Sequence, residues 1–302
     1  MSTATPAIQT TNLTKYYDGA RGIVDLDLSV EAGEIFGFLG PNGSGKTTTI
    51  RILMDLIRPT SGHASIFGLD CQQKTVELKA LTGYLPGELS LWNNLTGRQN
   101  LVYLANLRGG VPMSTIEAYA ARLGLDLDRK FREYSKGNKQ KVGIVQAFMH
   151  RPRLLILDEP TGGLDPLNQQ EFFHMVSDAR EAGATVFLSS HILSEVEHTC
   201  DRVGIIREGS MVRVGSVSEV IAEKRYSVAL TLSIPVTDAI KAEFEALPTV
   251  ENVTATDHTL EFVVQGDIGP VLKQAARYPV ITMTSHEPTL EEAFLEYYRS
   301  NA

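Results

Sequence analysis

Only two cysteines, Cys71 and Cys200, occur among the 302 residues, and they form no Cys-x-x-Cys pair. That excludes a disulfide framework and offers no zinc-ligand spacing, so two isolated thiols in a reducing compartment are expected. No window approaches the ~18–20 uninterrupted apolar residues of a membrane-spanning helix. Met1 to Pro6 has neither the basic nor the apolar region of a secretory signal, and the chain is expected to be made and kept in the cytosol. Positive charge is short as well, with 28 Lys and Arg against 36 Asp and Glu, a net of −8. The deficit concentrates from Tyr226 to Ala302, where 11 acidic residues face 4 basic ones. Such a tail suits neither nucleic acid nor anionic lipid, so no nucleic-acid partner is expected, and a solvated surface is its ordinary meaning. Internal repeats and low-complexity tracts are missing too. What remains is 43% hydrophobic and 21% charged residues, the composition of a packed globular chain long enough for a large α/β domain and a smaller one.

The hydrophobic pattern divides the chain in the same way. Leu26, Leu28 and Val30 alternate as in a strand with one buried face. Ile35 to Leu39 is a short apolar run leading into glycines, and Ile50, Leu53, Met54 and Ile57 then recur at helical spacing. Leu154 to Leu157 is a second apolar run, ending at Asp158. A helix with Phe172, Met175, Val176 and Ala179 on one face follows it, stopped by Gly183 before a strand at Thr185 to Leu188. Alternating strands and helices predict a mainly parallel sheet. Between these cores, about 88–150, the pattern is helical, with Ser114 and Glu117 at capping-box spacing. Val203 to Val214 reads as a hairpin turning near Gly209. From Tyr226 the order is β-α-β-β-α-β-α, a ferredoxin-like unit with an added last helix. That last helix carries Leu290, Ala293, Phe294, Tyr297 and Tyr298 and has Thr289 and Glu292 as its capping box.

Gly40-Pro41-Asn42-Gly43-Ser44-Gly45-Lys46-Thr47 has the form of a phosphate-binding loop between strand and helix. Its glycines let successive amides of Asn42, Gly43, Ser44 and Gly45 turn inward, and the following helix adds its positive N-terminal end through Thr47 and Thr48. Lys46 can reach the β- and γ-phosphates of ATP, and the Thr47 hydroxyl suits Mg²⁺. Asp158 and Glu159 leave a buried strand at its C-terminal end, where open α/β sheets bind ligands. Asp158 fits a metal-side carboxylate, and Glu159 fits the base that polarises an attacking water.

Tyr134-Ser135-Lys136-Gly137-Asn138 resembles the LSGGQ signature of ABC ATPases, matching at Ser135 and Gly137 and departing at Tyr134, Lys136 and Asn138. Taken alone the segment would be a helix cap. Its neighbours add to the resemblance: Thr161-Gly162-Gly163-Leu164-Asp165 resembles the family's D-loop, and Ser189-Ser190-His191 resembles the segment bearing its switch histidine. Tyr17 lies where the family has its adenine-stacking aromatic, ahead of Tyr16. The resemblance implies a P-loop NTPase of the ABC type over residues 1–220, with a helical subdomain at about 88–150 and a small α+β accessory domain at 226–302. The latter resembles extensions on ATPases of drug and antibiotic exporters of the daunorubicin type. Also implied are ATP and Mg²⁺, catalytic roles for Glu159 and His191, and a signature (Ser135, Gly137, Asn138) and D-loop (Asp165) serving a second ATPase domain of a homo- or heterodimer. The expected partner is a separate membrane permease, with the chain peripheral on the inner face of the cell membrane. Where the family usually has a metal-binding glutamine, Gly87 stands here, which keeps a regulatory, non-transport ATPase as the alternative. His191, Glu195 and His198 have the spacing of a helical metal face. In this context His191 is expected at a strand end, with Glu195 and His198 on the surface of the next helix.

Overall fold

The computed structural model describes residues 5–17, 20–221, 225–286 and 289–291. They divide into two compact units, 1–214 and 215–302.

The first unit opens on two antiparallel strands, β1 (Ile8–Tyr17) and β2 (Ala20–Val30). In β2 the buried positions are Ile23, Leu26, Leu28 and Val30. The step from Ile23 to Leu26 breaks the two-residue period at Asp25, whose φ is 46° and which lies at a register shift. This bulge returns the later residues to the core face. Next come β3 (Ile35–Leu39) and α1 (Lys46–Leu53). They are followed by β4 (Ser61–Ile66), β5 (Leu69–Asp70), α2 (Thr75–Leu81) and β6 (Thr82–Leu85). A helical stretch contains α3 (Gly97–Leu107), α4 (Met113–Arg122) and α5 (Lys136–Phe148). The chain returns to the sheet with β7 (Leu154–Asp158), α6 (Pro166–Glu181), β8 (Thr185–Ser190) and α7 (Leu193–Thr199). A hairpin of β9 (Arg202–Arg207) and β10 (Ser210–Ser216) follows. Its turn residues Glu208 and Gly209 have φ of 47° and 80°, the paired positive values of a type I′ turn.

The strands form a four-stranded antiparallel sheet, β2-β1-β4-β5, and a six-stranded sheet, β10-β9-β3-β8-β7-β6. In the second, the pairs from β9 through β6 are parallel. Helix α1 touches β2 and β4 on one side and β7 on the other, so it lies between the sheets. Every residue of β3, β7 and β8 is buried. A parallel strand covered on both faces has a near-continuous apolar stretch, which is why Ile35–Leu39, Leu154–Leu157 and Val186–Leu188 read as runs in the sequence. Phe187 of β8 stacks on Phe36 at 5.9 Å and packs against Phe38 at 5.2 Å. Truncating it to Ala would cost about 3–5 kcal/mol.

Helix starts in the helical stretch differ from the expected pattern. Ser114 and Glu117 do not form a capping box. Helix α4 begins at Met113 after Pro112, which places Ser114 inside the first turn, and Glu117 pairs with Arg98 at 2.7 Å. The capping box belongs to α3, where Thr96 and Gln99 exchange both bonds. Proline lacks the amide that a helix leaves unsatisfied at its start, so it can open α4 without a side-chain cap.

The second unit begins with α8 (Val217–Ile221), followed by β11 (Arg225–Leu232), α9 (Asp238–Glu245) and β12 (Val250–Thr256). It continues through β13 (Thr259–Gln265), α10 (Gly269–Ala275) and β14 (Val280–His286). The sheet order β12-β13-β11-β14, antiparallel throughout, is that of a ferredoxin-like unit. Val228, Leu230, Phe244, Leu260, Phe262 and Val271 form its core. Helix α10 turns Val271 and Ala275 inward and leaves Leu272 exposed. Of the expected last helix, only its first residues fall within the description, and its Glu292 cap lies outside the described residues.

Candidate functional site

Register brings three strand ends level. Leu39 of β3 pairs with Ser190 of β8, and Ser189 of β8 pairs with Asp158 of β7. Because β8 lies between β3 and β7, the loop after β3 and the carboxylates after β7 meet across the end of β8.

The loop after β3 curls through Gly43 and Gly45, with φ of 80° and 111°, values that other residues rarely adopt. A β-carbon on Gly45 would also lie 2.6 Å from Ile23 Cγ2. Among the described residues, no protein acceptor takes the amides of Gly43, Gly45, Lys46, Thr47 or Thr48. These are the unsatisfied donors of a helix start, aligned with the positive end of its dipole. Ser44 Oγ, buried on the inner curve, also lacks a partner. Lys46 is buried, and its Nζ donates to the carbonyls of Gly40 at 2.6 Å and Pro41 at 3.3 Å. Tyr17, exposed at the end of β1, brings its hydroxyl to 3.5 Å from Thr48 Oγ1, whereas the Tyr16 backbone amide donates to Thr60 Oγ1, outside α1, at 3.0 Å. Asn42 is exposed at the tip of the loop.

The carboxylates complete a bonded set. Thr47 Oγ1 donates to Asp158 Oδ2 at 3.0 Å, and Ser189 Oγ donates to Asp158 Oδ1 at 2.6 Å. Asp158 is 1% exposed, so both bonds offset its desolvation. Glu159 follows with φ 51°, and its amide is anchored by Ser189 at 3.2 Å through both Oγ and the backbone oxygen. Its carboxylate lies 3.5 Å from Lys46 Nζ and 2.5 Å from His191 Nδ1. His191, just beyond β8, is exposed.

This chemistry fits a triphosphate with Mg²⁺. The loop offers free amides and one ammonium for phosphate oxygens. Thr47 and Asp158 offer hard oxygens for a cation that keeps waters and phosphates as its other ligands. Among the described residues, no group of three or more His, Cys, Asp and Glu is arranged around a metal. His191, Glu195 and His198 do not converge. His191 turns to Glu159, His198 bonds the Ser194 carbonyl, and Glu195 bonds Thr161 and Ser190. Glu195, expected on the surface, is half-buried; α7 turns it under the Thr161 turn.

The signature-like residues behave differently. Ser135 is the N-cap of α5, accepting from the Asn138 amide at 3.3 Å. Gly137 packs on the Gly163 carbonyl, with which a β-carbon would collide. Asp165 caps α6, and the bonds from Asn168 hold its carboxyl below the usual range. Among the described residues, no hydrogen bond joins Ser135, Gly137, Asn138 or Asp165 to the loop or to Asp158. Gly87 lies beside the site: a β-carbon there would be 3.4 Å from Asp158 Oδ2. Tyr84, just before it, has its phenol pushed up to about 12 by burial and by the nearby Asp158 charge.

Three further positions bond the residues of this site. Ser189 anchors both carboxylate residues. Gln140, buried on α5, donates to the carbonyls of Pro160 at 2.8 Å and Glu159 at 3.3 Å. Glu195 is the third. Gln140 stands just past the signature-like segment, between Lys139 and Lys141, and Ser189 and Glu195 have no signal beyond their proximity to His191.

The profile of the ABC transporter family matches residues 23–162. The bacitracin transport ATP-binding protein BcrA of Enterococcus faecalis is 40% identical over 72% of this chain and 72% of its own length. The linearmycin resistance ATP-binding protein LnrL of Bacillus subtilis (strain 168) is 30% identical over 95% of this chain and 97% of its own. Among solved structures, the ATP-binding subunit of an ABC transporter superposes with a TM-score of 0.66 at 30% identity, covering 71% of this chain and 91% of that one. A dimeric ATP-binding cassette bound to ADP and phosphate shares the fold, with a TM-score of 0.64 at 22% identity over 70% of this chain and 98% of that one.

Proposed function

The chain belongs to the ABC transporter family as an ATP-binding and ATP-hydrolysing subunit, and from that premise we propose how its residues divide the work. The amides of Gly43 to Thr48 and the Lys46 ammonium hold the triphosphate, Asn42 and Ser44 shape the loop, and Tyr17 stacks on the base. Thr47 and Asp158 hold Mg²⁺, which when bound would neutralise charge on the β- and γ-phosphates. Glu159 accepts the proton of the attacking water at its carboxylate. His191, held against Glu159, donates toward the γ-phosphate oxygens as charge builds there.

Family cassettes dimerise and work with membrane permease components. For this chain we assign Ser135, Gly137, Asn138 and Asp165 to the site of the opposing cassette, whether a second copy or a homologue. The exposure of Ser135 and Asp165, each capping a helix start, supports that reading. The permease docks against the helical stretch, where Trp92 packs edge-on with Tyr103 at 4.6 Å while both stay exposed. No described helix is long and apolar enough to cross a membrane, so the pore is assigned to the partner and the chain to the cytoplasmic face of the membrane. The relatives' names support export of an antibiotic or another hydrophobic small molecule over a regulatory role without transport. The second unit, 215–302, is assigned as an accessory domain of that branch.

The observation that carries this reading is the bonded set Thr47–Asp158–Ser189 with Lys46–Glu159–His191 at one sheet end. Steady-state hydrolysis of ATP by the wild type and Glu159→Gln tests it. Glu159→Gln is expected to bind ATP with a turnover about 10³-fold lower. Equal rates would defeat the assignment.

A further inference from the structure

We propose that Glu195 is a positioning residue that locks the turn bearing Glu159 to the strand end bearing His191. Its Oε2 accepts from Thr161 Oγ1 at 3.1 Å and from Ser190 Oγ at 3.3 Å. Thr161 lies two residues after Glu159 and Ser190 immediately precedes His191, and both are buried. One carboxylate oxygen therefore gathers the two chain segments whose side chains meet in the 2.5 Å Glu159–His191 contact.

Each segment is also tied to itself. Gly162 N donates to the Glu159 carbonyl at 3.3 Å, and Leu164 N donates to the Thr161 carbonyl at 3.0 Å. Ile192 N donates to Ser190 Oγ at 2.9 Å. The segments are thus two small stiff turns. Strand pairing and the Ser189 bonds to Asp158 and Glu159 join them at the sheet, and the Glu195 carboxylate joins them again beyond its end, at Thr161 and Ser190. Glu159 needs such a joint. Its left-handed φ of 51° persists only where the surroundings over-determine it. Burial and the nearby charge of Glu159 raise the pKa of the Glu195 carboxyl, while its two hydroxyl partners oppose that rise. A carboxyl kept in place against this cost is held by its bonds.

The lock rests on the catalytic roles proposed for Glu159 and His191, and the experiment separates the two. Steady-state hydrolysis and fluorescent-ATP binding are measured on the full chain. Glu195→Ala is expected to lower kcat about ten-fold, the worth of one charge-assisted hydrogen bond. KM and ATP affinity stay as in the wild type, because Lys46 and the loop amides are untouched. Glu195→Gln keeps an acceptor oxygen and recovers most of the rate. Thr161→Val added to Glu195→Ala lowers the rate no further, since both remove one interaction. Wild-type kcat in Glu195→Ala beside an inactive Glu159→Gln would overturn the lock and leave the catalytic assignment standing. So would equal losses of kcat and ATP affinity, or losses that multiply in the double variant. An active Glu159→Gln would instead strike at the catalytic assignment, and the lock would fall with it.

Discussion

The sheet end and the start of α5 use their polar residues in opposite ways. At the sheet end, Lys46, Thr47, Asp158, Glu159, Ser189 and His191 bond one another across three strand ends and a loop. At the start of α5 and α6, Ser135 and Asp165 bond amides three residues along their own helices. A site whose groups already bond one another is pre-organised by its own chain. A pair of capped helix starts is stable by itself and leaves its function to whatever approaches from outside. The difference teaches that a residue's local role and its catalytic role are separable, and substitutions can part them.

Among substitutions that part the local role from the catalytic one, the largest effect is expected from Ser135→Asp. Aspartate caps a helix as well as serine does, so the melting temperature should be unchanged. It would place a negative charge where a second cassette's γ-phosphate is proposed to lie, and hydrolysis should fall about 100-fold. A fall in stability with activity intact would reverse the comparison. Just past the other end of α5, His150 has a purely local role. Arg108 donates to its Nε2 at 2.8 Å, and burial together with the Arg108 charge lowers its pKa from 6.5 to about 4. Between those values the unfolded chain binds the extra proton. The stability His150 lends is therefore whole above pH 6.5 and drains away as pH falls toward 4. Urea unfolding at pH 7.5 and pH 5 should show the wild type losing about 1–1.5 kcal/mol more than His150→Gln, after discounting for partial exposure.

Smaller effects sharpen the sheet end. Ser189→Ala leaves Asp158 Oδ1 without its donor and releases one anchor of Glu159; turnover should fall about ten-fold with ATP affinity kept. Gly87→Gln would bring an amide beside Asp158 Oδ2. The Mg²⁺ concentration giving half-maximal hydrolysis should drop roughly five-fold, the worth of one ordinary hydrogen bond. A Mg²⁺ titration reads it directly.

The parts legible in the sequence were those with a local signature. The loop from Gly40 to Thr47 shows because positive φ demands glycine at Gly43 and Gly45. The runs Ile35–Leu39 and Leu154–Leu157 show because the middle of a strand buried on both faces is apolar, its polar residues gathering at the ends. The ferredoxin-like order showed through plain two- and four-residue periods in Val228 to Ala275. What escaped was set by tertiary contact. Ser189 reads as one more strand residue until register places it beside Asp158. Glu195 reads as a surface carboxylate until α7 turns it under Thr161. Ser114 and Glu117 had capping spacing, but Pro112 started the helix first.

Completion of the site by a second copy of the chain is tested most directly by mixing two inactive variants. Lys46→Ala removes the grip on phosphate and Ser135→Asp removes the opposing contact, so neither should hydrolyse ATP alone with the permease. Mixed, they should recover hydrolysis, because an intact loop on one chain then faces an intact signature on the other. A mixture no more active than its separate components would contradict completion of the site by a second copy.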